Sequence, residues 1–188
     1  MYKISIFALL IFSFLNSQQL AAQQNMDPWT EYMTPTDIHT LMGQFTGEFD
    51  MEITMSSGEG KPPIVIKIPS THQMILGGRF LELKQKGDMM GMAYESIMTL
   101  GFNTIDKKMA LTTITNMGTG TLALFGNYDA TNKKATLYGS LTNPVSKQNI
   151  QIKQIINFVD DDTLVIESYD TEGEKAEKKT VVYTFGRK

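Results

Sequence analysis

Beyond Gly47 the chain alternates. Phe49, Met51, Ile53 and Met55 take turns with Glu48, Asp50, Glu52 and Thr54, the period of two that sends apolar side chains to one face of a strand and polar ones to the other. Turn chemistry then recurs roughly every ten residues, at Ser57-Gly58, Gly77-Gly78, Lys86-Gly87-Asp88, Met117-Gly118, Asn143-Pro144, Asp160-Asp161-Asp162 and Glu172-Gly173 among others. The pattern predicts ten strands, at about 46–56, 64–76, 79–86, 92–103, 108–116, 119–129, 134–142, 148–159, 163–170 and 176–186. Ahead of them the period is 3.6: Ile38, Leu41, Met42 and Phe45 lie on one helical face, Thr34 reads as N-cap and Pro35 as the first helical residue, so a short helix is expected over 34–45. Residues 23–33 read as a polar linker.

Ten consecutive strands on hairpin-length linkers are hard to leave as an open sheet, because both edges would expose unpaired backbone. The expected fold is therefore mainly β: an antiparallel up-and-down barrel of about ten strands with one short N-terminal helix, residues 34–188 forming a single domain. A two-sheet sandwich is the competing architecture, but it usually needs Greek-key crossings, which these short linkers do not provide. A barrel of this strand count has interior room for a small ligand.

The first 22 residues have the organisation of a secretory signal. Lys3 supplies the positive end, Ile4 to Leu15 an apolar core too short to span a bilayer, and Leu20-Ala21-Ala22 a small-residue cleavage site. This predicts a periplasmic or secreted protein with no membrane insertion after cleavage.

Composition narrows the chemistry. With 17 Lys+Arg against 20 Asp+Glu and a formal charge of -3, there is no basic surplus to recruit nucleic acid. The absence of cysteine excludes disulfides, thiolate metal sites and cysteine nucleophiles. Only two histidines are present, so a three-histidine metal centre is excluded as well. No nucleophile elbow, phosphate loop or dinucleotide-binding glycine pattern occurs, and neither a metal nor a cofactor is predicted. Asp160 to Asp162 lack the spaced ligands of a calcium loop and read as a solvated turn.

Four stretches carry a resemblance: PTDIHTLMGQFTGEFDM at Pro35 to Met51, MILGGRFLELKQKGDMMGMAYE at Met74 to Glu95, NMGTGTL at Asn116 to Leu122 and GNYDATNKKATLYG at Gly126 to Gly139. Together they resemble the bacterial domain-of-unknown-function family 1579 from about Trp29 onward, the Gly-Gly-Arg-Phe-Leu segment being the most specific. Where relatives often carry Trp, this chain has Phe49. The family is similar in turn to the calycin superfold of lipocalins and fatty-acid-binding proteins, which implies a ligand-holding barrel; it brings no catalytic residues with it.

The candidate site residues come mostly from parity. His72 shares a face with Ile64, Ile66, Ile68, Ser70 and Met74, so it is expected inside, where an imidazole needs a partner. Arg79 has the parity of Leu81 and Leu83 and could anchor a ligand carboxylate or pair with Glu95. Tyr94 and Tyr128 fall on apolar parities and could present hydroxyls to a cavity. Glu95 is a possible acid or base, otherwise a solvent-facing strand residue. His39, next to the apolar helical face, either packs at the seam between helix and barrel or touches ligand. Of 13 methionines, Met89, Met90 and Met92 sit together in one hairpin, where they could form a flexible portal or pack on the helix.

The function expected is the binding of a small apolar or amphipathic ligand, with His72, Arg79 and Tyr94 as polar anchors. A hydrolase or isomerase using His72 or Glu95 as base in the same cavity is the rival reading, and a haem barrel needs an axial histidine that only His39 or His72 could supply. Oligomeric state is open. The N-terminal pattern makes one direct prediction: the exported protein should begin near Gln23 and stay in solution without detergent, as N-terminal sequencing of the fractionated protein would read. Recovery of an intact N-terminus in the membrane fraction would refute it.

Overall fold

The computed structural model describes residues 27–58 and 60–188. The secretory expectation for residues 1–22, and the first part of the expected linker, lie outside the described residues. The chain divides into two units, one running to Thr34 and one from Pro35 onward.

In the first unit the expected linker holds a helix, α1 (Pro28–Met33). Asp27 caps it, its carboxylate accepting from the Thr30 amide at 3.3 Å, and Pro28 fills the first position, where no N–H is needed. None of its residues is buried. Asp27-Pro28 is the same kind of start signal as Thr34-Pro35, and Trp29, Tyr32 and Met33 follow at helical spacing.

The second unit opens with α2 (Asp37–Gln44), which starts later than expected because Thr36, not Thr34, is its N-cap. His39 decides this. Its Nδ1 accepts from the Thr36 amide at 2.9 Å, so an imidazole plays the part that Glu or Gln plays in the usual capping box. Ile38, His39 and Met42 form the buried side of the helix.

Ten strands follow: β1 (Gly47–Met55), β2 (Ile64–Ile75), β3 (Phe80–Met89), β4 (Met92–Phe102), β5 (Lys108–Thr115), β6 (Leu122–Asp129), β7 (Lys134–Thr142), β8 (Asn149–Asp160), β9 (Thr163–Glu172) and β10 (Lys178–Arg187). Each pairs antiparallel with the next, and β1 pairs with β10, so the sheet is a closed barrel and the sandwich alternative falls. Opposite Ile53 stands Tyr183, and opposite Met51 stands Phe185, which fixes both apolar parities inward at the seam. No helix of the described residues is long and apolar enough to cross a membrane.

The two halves of the barrel are filled differently. At the end where β1 begins, Phe49, Met51, Leu81, Leu100, Met109, Phe158, Leu164 and Phe185 are buried, and α2 adds Ile38 and Met42 to the same core. Phe45, just past the helix, packs on Phe158 with ring centroids 5.4 Å apart. Toward the other end Met55, Ile66, Leu122, Leu141, Ile150, Val181 and Tyr183 hold the inward parity but are only half-buried. The inward side chains of one half are sealed from solvent; those of the other are partly reached by it.

Removing the Phe45 ring should therefore open the packed end. Phe45→Ala is expected to cost about 3–5 kcal/mol, the usual range for deleting a buried aromatic ring, read as a lowered midpoint in denaturant unfolding. A midpoint shift equivalent to less than about 1 kcal/mol would mean that the helix end contributes little to the core.

Candidate functional site

His72 points inward, 2% exposed, between two rings. Phe49 stacks on it with centroids 4.2 Å apart and planes at 10°, and Phe185 meets it edge-on at 5.2 Å. Loss of hydration in this aromatic slot pulls its pKa down to about 4, with the hydrogen bond to Phe45 opposing and the charge of Arg187 assisting. The ring is therefore neutral near pH 7 and offers one donor and one acceptor. Its Nδ1 lies 3.0 Å from the Phe45 carbonyl, which can only accept, so Nδ1 carries the proton and Nε2 accepts from the Ser70 hydroxyl at 2.9 Å.

That tautomer sets every hydrogen bond behind it. Ser70 Oγ, having donated to His72, accepts from Gln85 Nε2 at 2.9 Å, and Gln85 Oε1 accepts from the Ser96 hydroxyl. Four side chains on β2, β3 and β4 thus form one directional chain ending on the backbone just before β1. The Ser70–His72 contact has the spacing of a nucleophile–base pair, but Ser70 is 1% exposed and both its partners lie in the wall, so no substrate carbonyl reaches it. Both His72 nitrogens being engaged within the protein, the ring presents no free nitrogen to a ligand or to haem iron.

The open half has a second polar group, which the parity reading passed over. On β8 and β9 the inward rows read Ile152, Gln154, Ile156 and Ile166, Ser168, Asp170. Gln154 is 5% exposed; its Nε2 faces Ser168 Oγ at 3.5 Å, and its Oε1 is buried with no hydrogen-bond partner. Burial raises the carboxyl of Asp170, and a hydrogen bond from Thr180 counters it. Burial also pushes the Tyr183 phenol up to about 12, with the fields of Tyr94 and Asp170 adding to the effect. Tyr94 itself is buried. A Gln, a Ser and an Asp interrupting apolar parity on neighbouring strands was the available signal.

The other candidates lie elsewhere. Arg79 is not on the strand parity assigned to it: the Leu76 to Arg79 turn precedes β3, and Nη1 donates to the Leu76 carbonyl at 3.1 Å. The strand begins at Phe80, so the alternation that carries Leu81 and Leu83 inward does not extend back to Arg79, which belongs to a turn whose Leu76, Gly77 and Gly78 all have positive φ. Glu95 lies on the outer wall and binds Lys86 at 2.7 Å, not Arg79. It borders an outward-facing depression of about 400 Å³ with Lys84, Ile97, Ile114 and Asn116. His39 sits at the seam between helix and barrel, its ring edge-on to Phe102 at 6.1 Å; burial lowers its pKa, opposed by hydrogen bonding to the Phe102 and Thr36 backbone. Tyr128 is half-buried at the packed end between Phe102 and Phe158, with burial raising its phenol. Met90 and Met92 are exposed at the β3–β4 turn, on the open half.

One residue outside the candidate set holds the packed end. Arg187 places its guanidinium 4.6 Å above the Phe49 ring, on a ring that already stacks with His72. Nε pairs with Asp162 at 2.6 Å, and the two terminal nitrogens donate to the carbonyls of Thr46, Gln44 and Asp161.

Comparison with known proteins bears on the fold. The family model described as "Protein of unknown function (DUF1579)" matches residues 34–187. Among solved structures the chain is similar to the crystal structure of Rv2717c from M. tuberculosis, at 13% identity over 82% of this chain and 99% of that one, with a TM-score of 0.55. It is also similar to a redesigned β barrel, at 8% identity over 79% of this chain and 95% of that one, with a TM-score of 0.44. No curated protein sequence matches.

The buried imidazole predicts a pH dependence. Above about pH 6.5 His72 is neutral folded or unfolded and contributes no slope. As pH falls below that value the unfolded chain takes up the proton first, so stability is lost progressively until about pH 4, where the folded form protonates too. The gap corresponds to roughly 3 kcal/mol. His39, also lowered, acts in the same direction. His72→Phe keeps an aromatic ring in the slot and should reduce the slope over this window in urea unfolding, although it lowers stability at neutral pH by leaving the Ser70 hydroxyl without its acceptor and the Phe45 carbonyl without its donor. An unchanged slope in the variant would show that His72 is not the group responsible.

Proposed function

The chain belongs to the DUF1579 family of proteins of unknown function, and we propose that it binds a small, mostly apolar ligand in the open half of its barrel. One observation carries the reading: within a closed sheet, the inward-facing apolar residues Ile66, Leu122, Leu141, Ile150 and Val181 stay half-buried while their counterparts at the helix end are sealed. An apolar wall with a few convergent polar groups is the usual make-up of a small-molecule site. Tyr94, Gln154, Asp170 and Tyr183 supply those groups. His72, Arg79, Glu95, His39 and Tyr128 lie outside this half or are engaged elsewhere, so the proposed ligand contacts pass from them to the β8–β10 residues. Of the sequence candidates only Tyr94 keeps a place. Export, proposed from residues 1–22 alone, is compatible with a carrier or scavenger of such molecules.

The test uses a neutral fluorescent probe, N-phenyl-1-naphthylamine. Saturable binding with blue-shifted emission is expected, and Leu141→Trp, which fills the open half, should weaken it by at least about tenfold, or roughly 1.4 kcal/mol. Absence of saturable binding to the unsubstituted protein, or equal binding by the folded Leu141→Trp variant, would overturn the proposal.

A further inference from the structure

We infer that the polar end of the bound molecule is an amine, donating hydrogen bonds to Gln154 Oε1 and to the carboxylate of Asp170. The inference rests on the ligand-binding reading above and narrows it. A buried amide oxygen without a donor is costly, and the donor that would satisfy it comes from no described side chain or backbone group. It faces the barrel interior from β8, opposite Ser168 on β9. Asp170 is two residues further along β9 on the same face, diagonal to Gln154, a spacing of roughly 7–8 Å between Cα atoms that one small group can bridge.

Charge points the same way. An acid drawn into the interior calls for a cation or a proton, and Lys153 and Lys179, one on each neighbouring strand, turn outward. Lys153 pairs with Glu177 and lies over the Tyr169 ring at 4.3 Å, and Lys179 pairs with Glu167. Lys178 stands opposite Asp170 at the start of β10 but is exposed at the rim and forms no ion pair with it among the described residues. Tyr94 and Tyr183 can accept from a bound ammonium as well as donate. A fatty acid carboxylate in this position could accept from the tyrosine hydroxyls, but it would face the Asp170 carboxylate and the Gln154 oxygen with no buried cation to balance its charge. An ammonium meets a carboxylate, an unpartnered carbonyl and apolar walls for its chain.

Calorimetric titration at pH 7 with four probes of equal chain length, octylamine, octanol, octanoate and trimethyloctylammonium, each below its micelle concentration, separates the possibilities. Octylamine should bind at least about tenfold more tightly than octanoate, and more tightly than trimethyloctylammonium, which keeps the charge but has no N–H to donate. Gln154→Leu and Asp170→Asn should each reduce the preference for octylamine; the trimethylated probe makes the same test on the unsubstituted protein if either variant fails to fold. Octanoate binding as tightly as octylamine, or trimethyloctylammonium matching octylamine, would overturn the amine assignment while leaving the ligand-binding reading in place. Failure of all four probes and of N-phenyl-1-naphthylamine would overturn the reading itself.

Discussion

Everything inside this protein depends on one pairing, β1 with β10. Seven residue pairs, from Phe49 with Arg187 to Met55 with Val181, join strands separated by nearly the whole domain. Without them the other nine strand pairings would form a curled sheet with two open edges, and the inward faces would have no common interior. Arg187 reinforces the junction. It is the last residue of β10, and its fork reaches the backbone on either side of Phe45 and the β8–β9 turn, so a single side chain binds three segments that meet at the packed end. Its position over Phe49 adds a cation to a ring already stacked on neutral His72.

The hydrogen bonds inside the barrel explain how polar residues coexist with that core. Ser96, Gln85, Ser70 and His72 each occupy inward positions and are buried, which would be destabilising for any one of them alone. In series they satisfy one another, and the chain ends on the Phe45 carbonyl, which lies past the last residue of α2 and outside the strand ladders. Gln154 has no such neighbour for its oxygen. Gln85 has both ends of its amide engaged and Gln154 has one end idle, and that contrast distinguishes the two polar groups of this barrel.

Much of this was legible in the sequence. Ten strands, their approximate bounds and closure followed from the period of two and from hairpin-length turns, because those signals are local and each strand has one wet face. The inward direction of His72 followed from the same parity. Arg79 was misplaced because the strand begins one residue after it, at Phe80, and strand parity does not extend into the turn that precedes it. The start of α2 was misplaced because the acceptor that selects Thr36 as cap is a histidine, outside the usual capping pattern. Arg187 carried no local sign at all, since its partners are 25, 26, 141 and 143 residues away. Gln154, Ser168 and Asp170 were visible as polar breaks in apolar rows, but their meaning depended on knowing that two neighbouring strands place them on one face.

Closure by the final strand also has a bearing on synthesis. A ribosome delivers β1 first and β10 last of the ten strands, so a nascent chain can zip hairpin after hairpin while its first strand still lacks its second neighbour. Until Lys178 to Arg187 emerge, one edge of β1 and one edge of β9 are unpaired and Phe49 lacks its covering guanidinium. The interval before β10 emerges is then one in which the inward faces have no closed interior, and its length is set by how late β10 is made.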